Sequence, residues 1–192
     1  MARKNTPEQA YNRYIDRLER ALGCISPKRL DLVTPVKFQL DTEYPLVLNN
    51  NDPVLLRGQE DVHFSAGQRF RIVEDREIEH GPYRVHTVEY WYQIDRPEGS
   101  EVLTYHWKPE SDRTPLEREP HLHIGSPVVA HDAPLLRKTF SKLHIPTGRV
   151  SIESIVRFLI SEIEVQPIVP AWEAVLNDGQ RVFDTFRRRH LH

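Results

Sequence analysis

The sequence predicts an α+β fold: an antiparallel β-meander sheet packed on one face by N-terminal and C-terminal helices. Three observations carry this. Segments with period-two alternation follow one another through the middle of the chain. Strongly capped helical patterns stand at both ends. Nowhere does strand alternate with helix, as a parallel sheet would require. A length of 192 residues fits a single domain, 1–192.

The first element is a helix over 6–22. In "NTPEQAYNRYIDRLERALG", Thr6 stands at the cap, Pro7 suits the first turn, and Gln9 completes a capping box. Tyr11, Ile15, Leu18 and Leu22 recur at helical spacing, and Gly23 ends the pattern. The next stretch, "LVTPVKFQLDTEYPLVLNNNDPVLL", holds short apolar runs broken by Pro35, Pro45 and an asparagine-rich turn. It reads as two short extended pieces that open a meander spanning about 36–125.

The clearest strands run from Gln68 to Lys108. "QRFRIVEDREIE", "YRVHTVEYWYQID" and "EVLTYHWKP" alternate, with "HGP" and "RPEGSE" as turns. A four-residue loop from Pro97 to Ser100 sets Tyr90 opposite Trp107, Tyr92 opposite Tyr105 and Ile94 opposite Leu103 on one face. The other face then pairs Trp91 with His106, Gln93 with Thr104 and Glu89 with Lys108. The aromatic face is expected to be the covered one. "HLHIG" reads as one more strand. Two C-terminal helices occupy about 151–190. Ser151 caps "SIESIVRFLISEIEV", and "PAWEAVLNDGQRVFDTFRRRHLH" carries Trp172, Leu176, Phe183 and Phe186 at helical spacing. The "NDG" within the latter is a point at which that helix can break in two.

Composition narrows the function classes. A formal charge of −2 excludes a chain basic throughout, as a DNA-coating protein would be. Charge is uneven, however. Arg3, Lys4, Arg13, Arg17, Arg20, Lys28 and Arg29 crowd the first thirty residues, and Arg187, Arg188 and Arg189 stand near the end. Such ends suit a nucleic-acid phosphate backbone, an acidic protein partner or a solvated helix face. Cys24 is the one cysteine, which excludes an internal disulfide and a cysteine-rich zinc site. No apolar run approaches a membrane span, so no membrane partner and a cytoplasmic location are expected. Phosphate-binding loop, dinucleotide and HExxH or GxSxG motifs are absent from the sequence.

The chemistry-bearing stretch is "EREPHLHIGSP". His121 and His123 lie two residues apart and so share one side of a strand. If "YHW" is a neighbouring strand, His106 joins them. Three readings stay open here. Three neutral imidazoles can hold zinc and leave a position for water. Histidines can instead divide acid and base work in cutting a phosphodiester, with an RNA 2′-OH as nucleophile. Or the pattern is an incidental polar strand. Lys108, Arg113 and Arg118 stand near enough in sequence to contact phosphate or substrate. Trp91, beside His106, either stacks a base or packs under a loop. His131 and His144 sit in loop sequence with no identified partner, and the start of the Ser151-capped helix is a weak phosphate site.

The order of capped helix, tyrosine-rich meander, "YHW", a charged proline loop, "EPHLHIG" and "SIESIVRFLI" resembles the TumE-like family of small toxin–antitoxin proteins. The resemblance covers roughly residues 68–165. It implies a toxin-like component encoded beside an antitoxin protein, and carries only His121 and His123 over as site residues. The resulting expectation is a metal-independent ribonuclease with His106, His121 and His123 as the catalytic cluster, RNA and an antitoxin as partners, and no cofactor. The alternative is a non-enzymatic interaction module that uses Arg187, Arg188 and Arg189. A second alternative is a zinc-dependent hydrolase. Ring nitrogens more than roughly 8 Å apart would exclude a shared metal, given zinc–nitrogen bonds of about 2 Å.

Overall fold

The computed structural model describes residues 6–33, 37–75, 82–110, 115–125 and 145–188. Within them the α+β expectation holds. An open antiparallel sheet of eight strands carries a layer of helices on one face. The strands are β1 Leu30–Leu32, β2 Glu43–Leu48, β3 Val54–Leu56, β4 Val62–Glu74, β5 Tyr83–Asp95, β6 Glu101–Trp107, β7 His121–Ile124 and β8 Ile145–Pro146. Their order is β1-β2-β4-β5-β6-β7-β8, and β3 pairs with the start of β4 beyond the end of β2. The helices are α1 Pro7–Leu22, a single turn α2 Pro115–Arg118, α3 Ile152–Ser161 and α4 Trp172–Arg188. Among the described residues, no helix is long and apolar enough to cross a membrane.

Local signals account for most element ends. Thr6 accepts from the Gln9 backbone N–H, and the Gln9 side chain accepts from the Thr6 N–H, closing the capping box of α1. Ser151 accepts from the Ser154 N–H and starts α3. Between β2 and β3 the chain turns through Asn49, Asn50 and Asn51, with φ of 51°, 53° and 69°. Asparagine is among the few side chains that occupy this left-handed region readily, which explains the run of three.

The β5–β6 register is the expected one, with Tyr90 opposite Trp107, Tyr92 opposite Tyr105 and Trp91 opposite His106. Two details differ. β6 ends at Trp107, before Lys108, and Glu89 instead faces Arg69 of β4 at 3.8 Å. The cross-strand ion pair therefore forms with the other neighbour. Helix α4 runs unbroken through Asn177, Asp178 and Gly179. A Cβ at Gly179 would lie 2.4 Å from Glu153 Oε1 of α3. This glycine therefore allows two helices to approach closely and does not end one.

The core lies between the helices and the aromatic face. Phe64, Phe70, Ile72, Tyr92 and Ile94 from the sheet meet Leu18 and Leu22 of α1 and Ile155, Val156 and Leu159 of α3. One polar chain crosses it. Gln68 accepts from the Tyr14 hydroxyl and donates to the Tyr92 hydroxyl at 2.9 Å, and Tyr14 also pairs with Thr87 at 3.0 Å. Burial pushes the Tyr14 phenol above its ordinary range. It pushes Tyr92 well above it, with Tyr14, Tyr90 and Glu153 adding to the effect.

Candidate metal centre

Side chains alternate across a strand, so the residues between the core positions of β5, β6 and β7 all point away from the helices. This places Trp91, His106, His121 and His123 together on the open face. The register makes the arrangement specific. His106 stands directly opposite His121, and Thr104 directly opposite His123. Two residues from each strand thus form the corners of a square, with three imidazoles and one hydroxyl.

The ligand nitrogens of His106, His121 and His123 all lie within 4.8 Å of one another. Ring centroids are 5.3 Å apart for His106–His121 and 4.9 Å for His121–His123, with the rings steeply tilted at 68° and 70°. In a tetrahedral zinc site nitrogens sit about 3.4 Å apart, so each would move inward by about 0.8 Å or less. Rotation about χ angles supplies that movement without disturbing the backbone.

His121 is the anchor of the group. It is 2% exposed, whereas His106 and His123 are half-buried. Its Nδ1 lies 2.7 Å from the backbone carbonyl of Glu119. A carbonyl only accepts, so Nδ1 carries the proton and donates, and Nε2 is the ring nitrogen with an acceptor lone pair. A backbone acceptor behind the far nitrogen is the usual way in which a ligating imidazole is oriented.

The remaining sequence candidates separate by position. Trp91 is next to His106 in the cross-strand row, but its indole lies over Gly67 of β4. A Cβ at Gly67 would fall 2.0 Å from the ring. Trp91 thus covers the neighbouring strand where that strand has no side chain of its own. Lys108 is exposed just beyond β6, and Arg118 is exposed at the end of α2, three residues before His121. Both stand at the end of the β6–β7 pair nearest His106 and His121. Arg113 and Arg189 lie outside the described residues, as do the side chains of Arg187 and Arg188, and His131 and His144. Helix α4 belongs to the helical layer, so the C-terminal basic run starts on the far side of the sheet from the histidines.

Sequence reasoning missed Thr104 and the Glu119 carbonyl. Thr104 appeared only as the partner of Gln93. Its pairing with His123 depends on the β6–β7 register, which a connection of about a dozen residues leaves unspecified. Comparison with known protein families, with characterised proteins and with solved structures finds no match to this chain.

Proposed function

We propose that this protein binds a zinc-type divalent metal through His106, His121 and His123, and that the metal serves hydrolysis of an ester or phosphoester. The observation that carries the reading is the convergence of three imidazole ligand atoms within 4.8 Å on one face of two paired strands. Proton transfer alone needs two groups. A third imidazole at this distance adds repulsion once any two are charged, whereas a cation shared by neutral rings removes that conflict.

His106, His121 and His123 would hold the metal, which would supply a water activated as a nucleophile near neutral pH. The chain's own residues supply the rest. His121, fixed by Glu119, sets the direction of its Nε2, and His106 and His123 complete the donor set from the adjacent strand and the same strand. Lys108 and Arg118, both exposed at one end of the square, are suited to meet the negative charge of a phosphoester.

The test is metal content and hydrolysis by the purified full chain. One equivalent of zinc or cobalt per chain is expected, and His121→Ala should weaken binding by at least about 100-fold. Loss of a ligand should cost no less than the 10–100-fold typical of an outer-shell partner. Hydrolysis of bis(p-nitrophenyl) phosphate should disappear in EDTA and return with zinc. Absence of stoichiometric metal overturns the reading. RNA cleavage that persists in EDTA and is lost in His123→Ala would favour the metal-free histidine ribonuclease instead.

A further inference from the structure

We infer that Thr104 is a positioning residue for the fourth ligand of this centre: its hydroxyl accepts a hydrogen bond from the water that completes the coordination of the metal. The inference rests on the metal-binding reading above and extends it to a residue outside the donor set.

Two independent observations meet at this side chain. The first is placement. Thr104 lies two residues before His106 in β6 and directly opposite His123 in β7, so it takes the fourth corner of the square whose other corners are imidazoles. Directly opposed side chains have Cβ atoms about 4.5–5.5 Å apart, within reach of a shared bridging water. The second is hydrogen bonding. Thr104 Oγ1 is buried and has no hydrogen-bond partner among the described residues. Buried hydroxyls are nearly always paired, because an unpaired one gives up its hydration without replacement.

Among the described residues, the neighbour across β5 has its donors engaged elsewhere. Gln93, across β5 from Thr104, directs its amide N–H groups to the Asp95 carboxylate at 3.0 and 2.9 Å. On the other side stands His123. A ligand held above the square would meet the Thr104 hydroxyl on the one side where no imidazole stands. Water bound to a cation is a strong donor, and a threonine oxygen with free lone pairs is a suitable acceptor. The hydroxyl would orient this water without adding a metal bond, fixing which of its lone pairs faces an incoming ester.

The test uses the full chain stripped of metal and titrated with cobalt(II) alone, in wild type, Thr104→Val and Thr104→Ser. Valine keeps the shape and removes the hydroxyl; serine keeps the hydroxyl. Thr104→Val should take up one cobalt with affinity within about threefold of wild type, since no ligand is lost. Its visible cobalt spectrum should change, and zinc-dependent hydrolysis of bis(p-nitrophenyl) phosphate should fall about 10–100-fold in kcat with little change in KM. Serine should restore both. Without metal, Thr104→Val should melt no lower than wild type, because the hydroxyl has no partner among the described residues to lose. An unchanged cobalt spectrum and kcat in Thr104→Val would overturn the role of Thr104 while leaving the metal site intact. So would metal-free Thr104→Val melting several degrees below wild type, the result expected of a structural hydroxyl. A wild-type chain that takes up no cobalt removes both the site and this role.

Discussion

The two faces of the sheet are built from the same strands and obey opposite rules. On the covered face, Tyr90, Tyr92, Phe64 and Phe70 are nearly or wholly buried against α1 and α3, and the polar groups they carry are hydrogen-bonded, as in the Gln68 chain. On the open face, one residue further along each strand, stand Gly67, Trp91, Gln93, Thr104, His106, His121 and His123. The first set maximises contact. The second gathers donors whose proximity does little for folding. Residues on a sheet face that contribute little to packing are the ones to examine for chemistry, and here they converge on a single point.

Breaking the covered face should have the largest effect. Phe70 is fully buried and touches the rings of Tyr11, Tyr14 and Tyr44. Phe70→Ala should cost about 3–5 kcal/mol and lower the melting temperature by about 10 °C. Chemical denaturation measures the loss, and metal bound per folded molecule should stay unchanged. If metal binding falls in the molecules that remain folded, the faces are coupled more tightly than the geometry implies.

A change on the open face should be smaller. Gly67→Ala places a methyl against the indole of Trp91, and displacing that ring should cost about 1–3 kcal/mol. Trp91 faces His106 across β5 and β6, so metal affinity should fall as well, by several-fold. Trp91 fluorescence should shift on the same substitution. A stable variant with unchanged fluorescence would show that the indole is not seated over this glycine.

The smallest and most selective perturbation is alkaline pH. Tyr14 and Tyr92 are held above the ordinary phenol range, chiefly by burial. In the folded state they keep protons that the unfolded chain releases near pH 10, so the unfolded chain binds fewer protons above that pH. Stability is therefore intact below about pH 10 and declines as pH rises past it. Melting temperature measured from pH 8 to 11 should bend downward near pH 10. Tyr92→Phe, which removes the more strongly raised of these two phenols, should soften the bend.

Much of this was legible in the sequence, for identifiable reasons. Thr6 and Gln9 announced α1, and Ser151 announced α3, because caps are local chemistry. The β5–β6 register was readable because the loop from Pro97 to Ser100 is short and aromatic residues oppose each other only one way. The start of β4, "VHFSAG", was not read as strand, since Gly67 interrupts the pattern and its reason lies in Trp91, a strand away. Gly179 pointed to a helix break for the same kind of reason: the carboxylate that requires it belongs to another helix. His121 and His123 were recognisable as a pair from their spacing. Their approach to His106 depends on long-range register, and the buried hydroxyl of Thr104 became significant only once that register was known.

That register has a further consequence. Leu122 pairs with Tyr105 between the two histidine-bearing rows, and both project toward the covered side. A slip of one residue of β7 against β6 would turn His121 and His123 inward together and send Leu122 out to water, while His106 and Tyr105 stay fixed by β5. Because the strand period is two, such a slip never removes one of the β7 histidines and keeps the other. His121 and His123 therefore stay or leave as a pair, and the side chain that guards them, Leu122, is an apolar one on the opposite face.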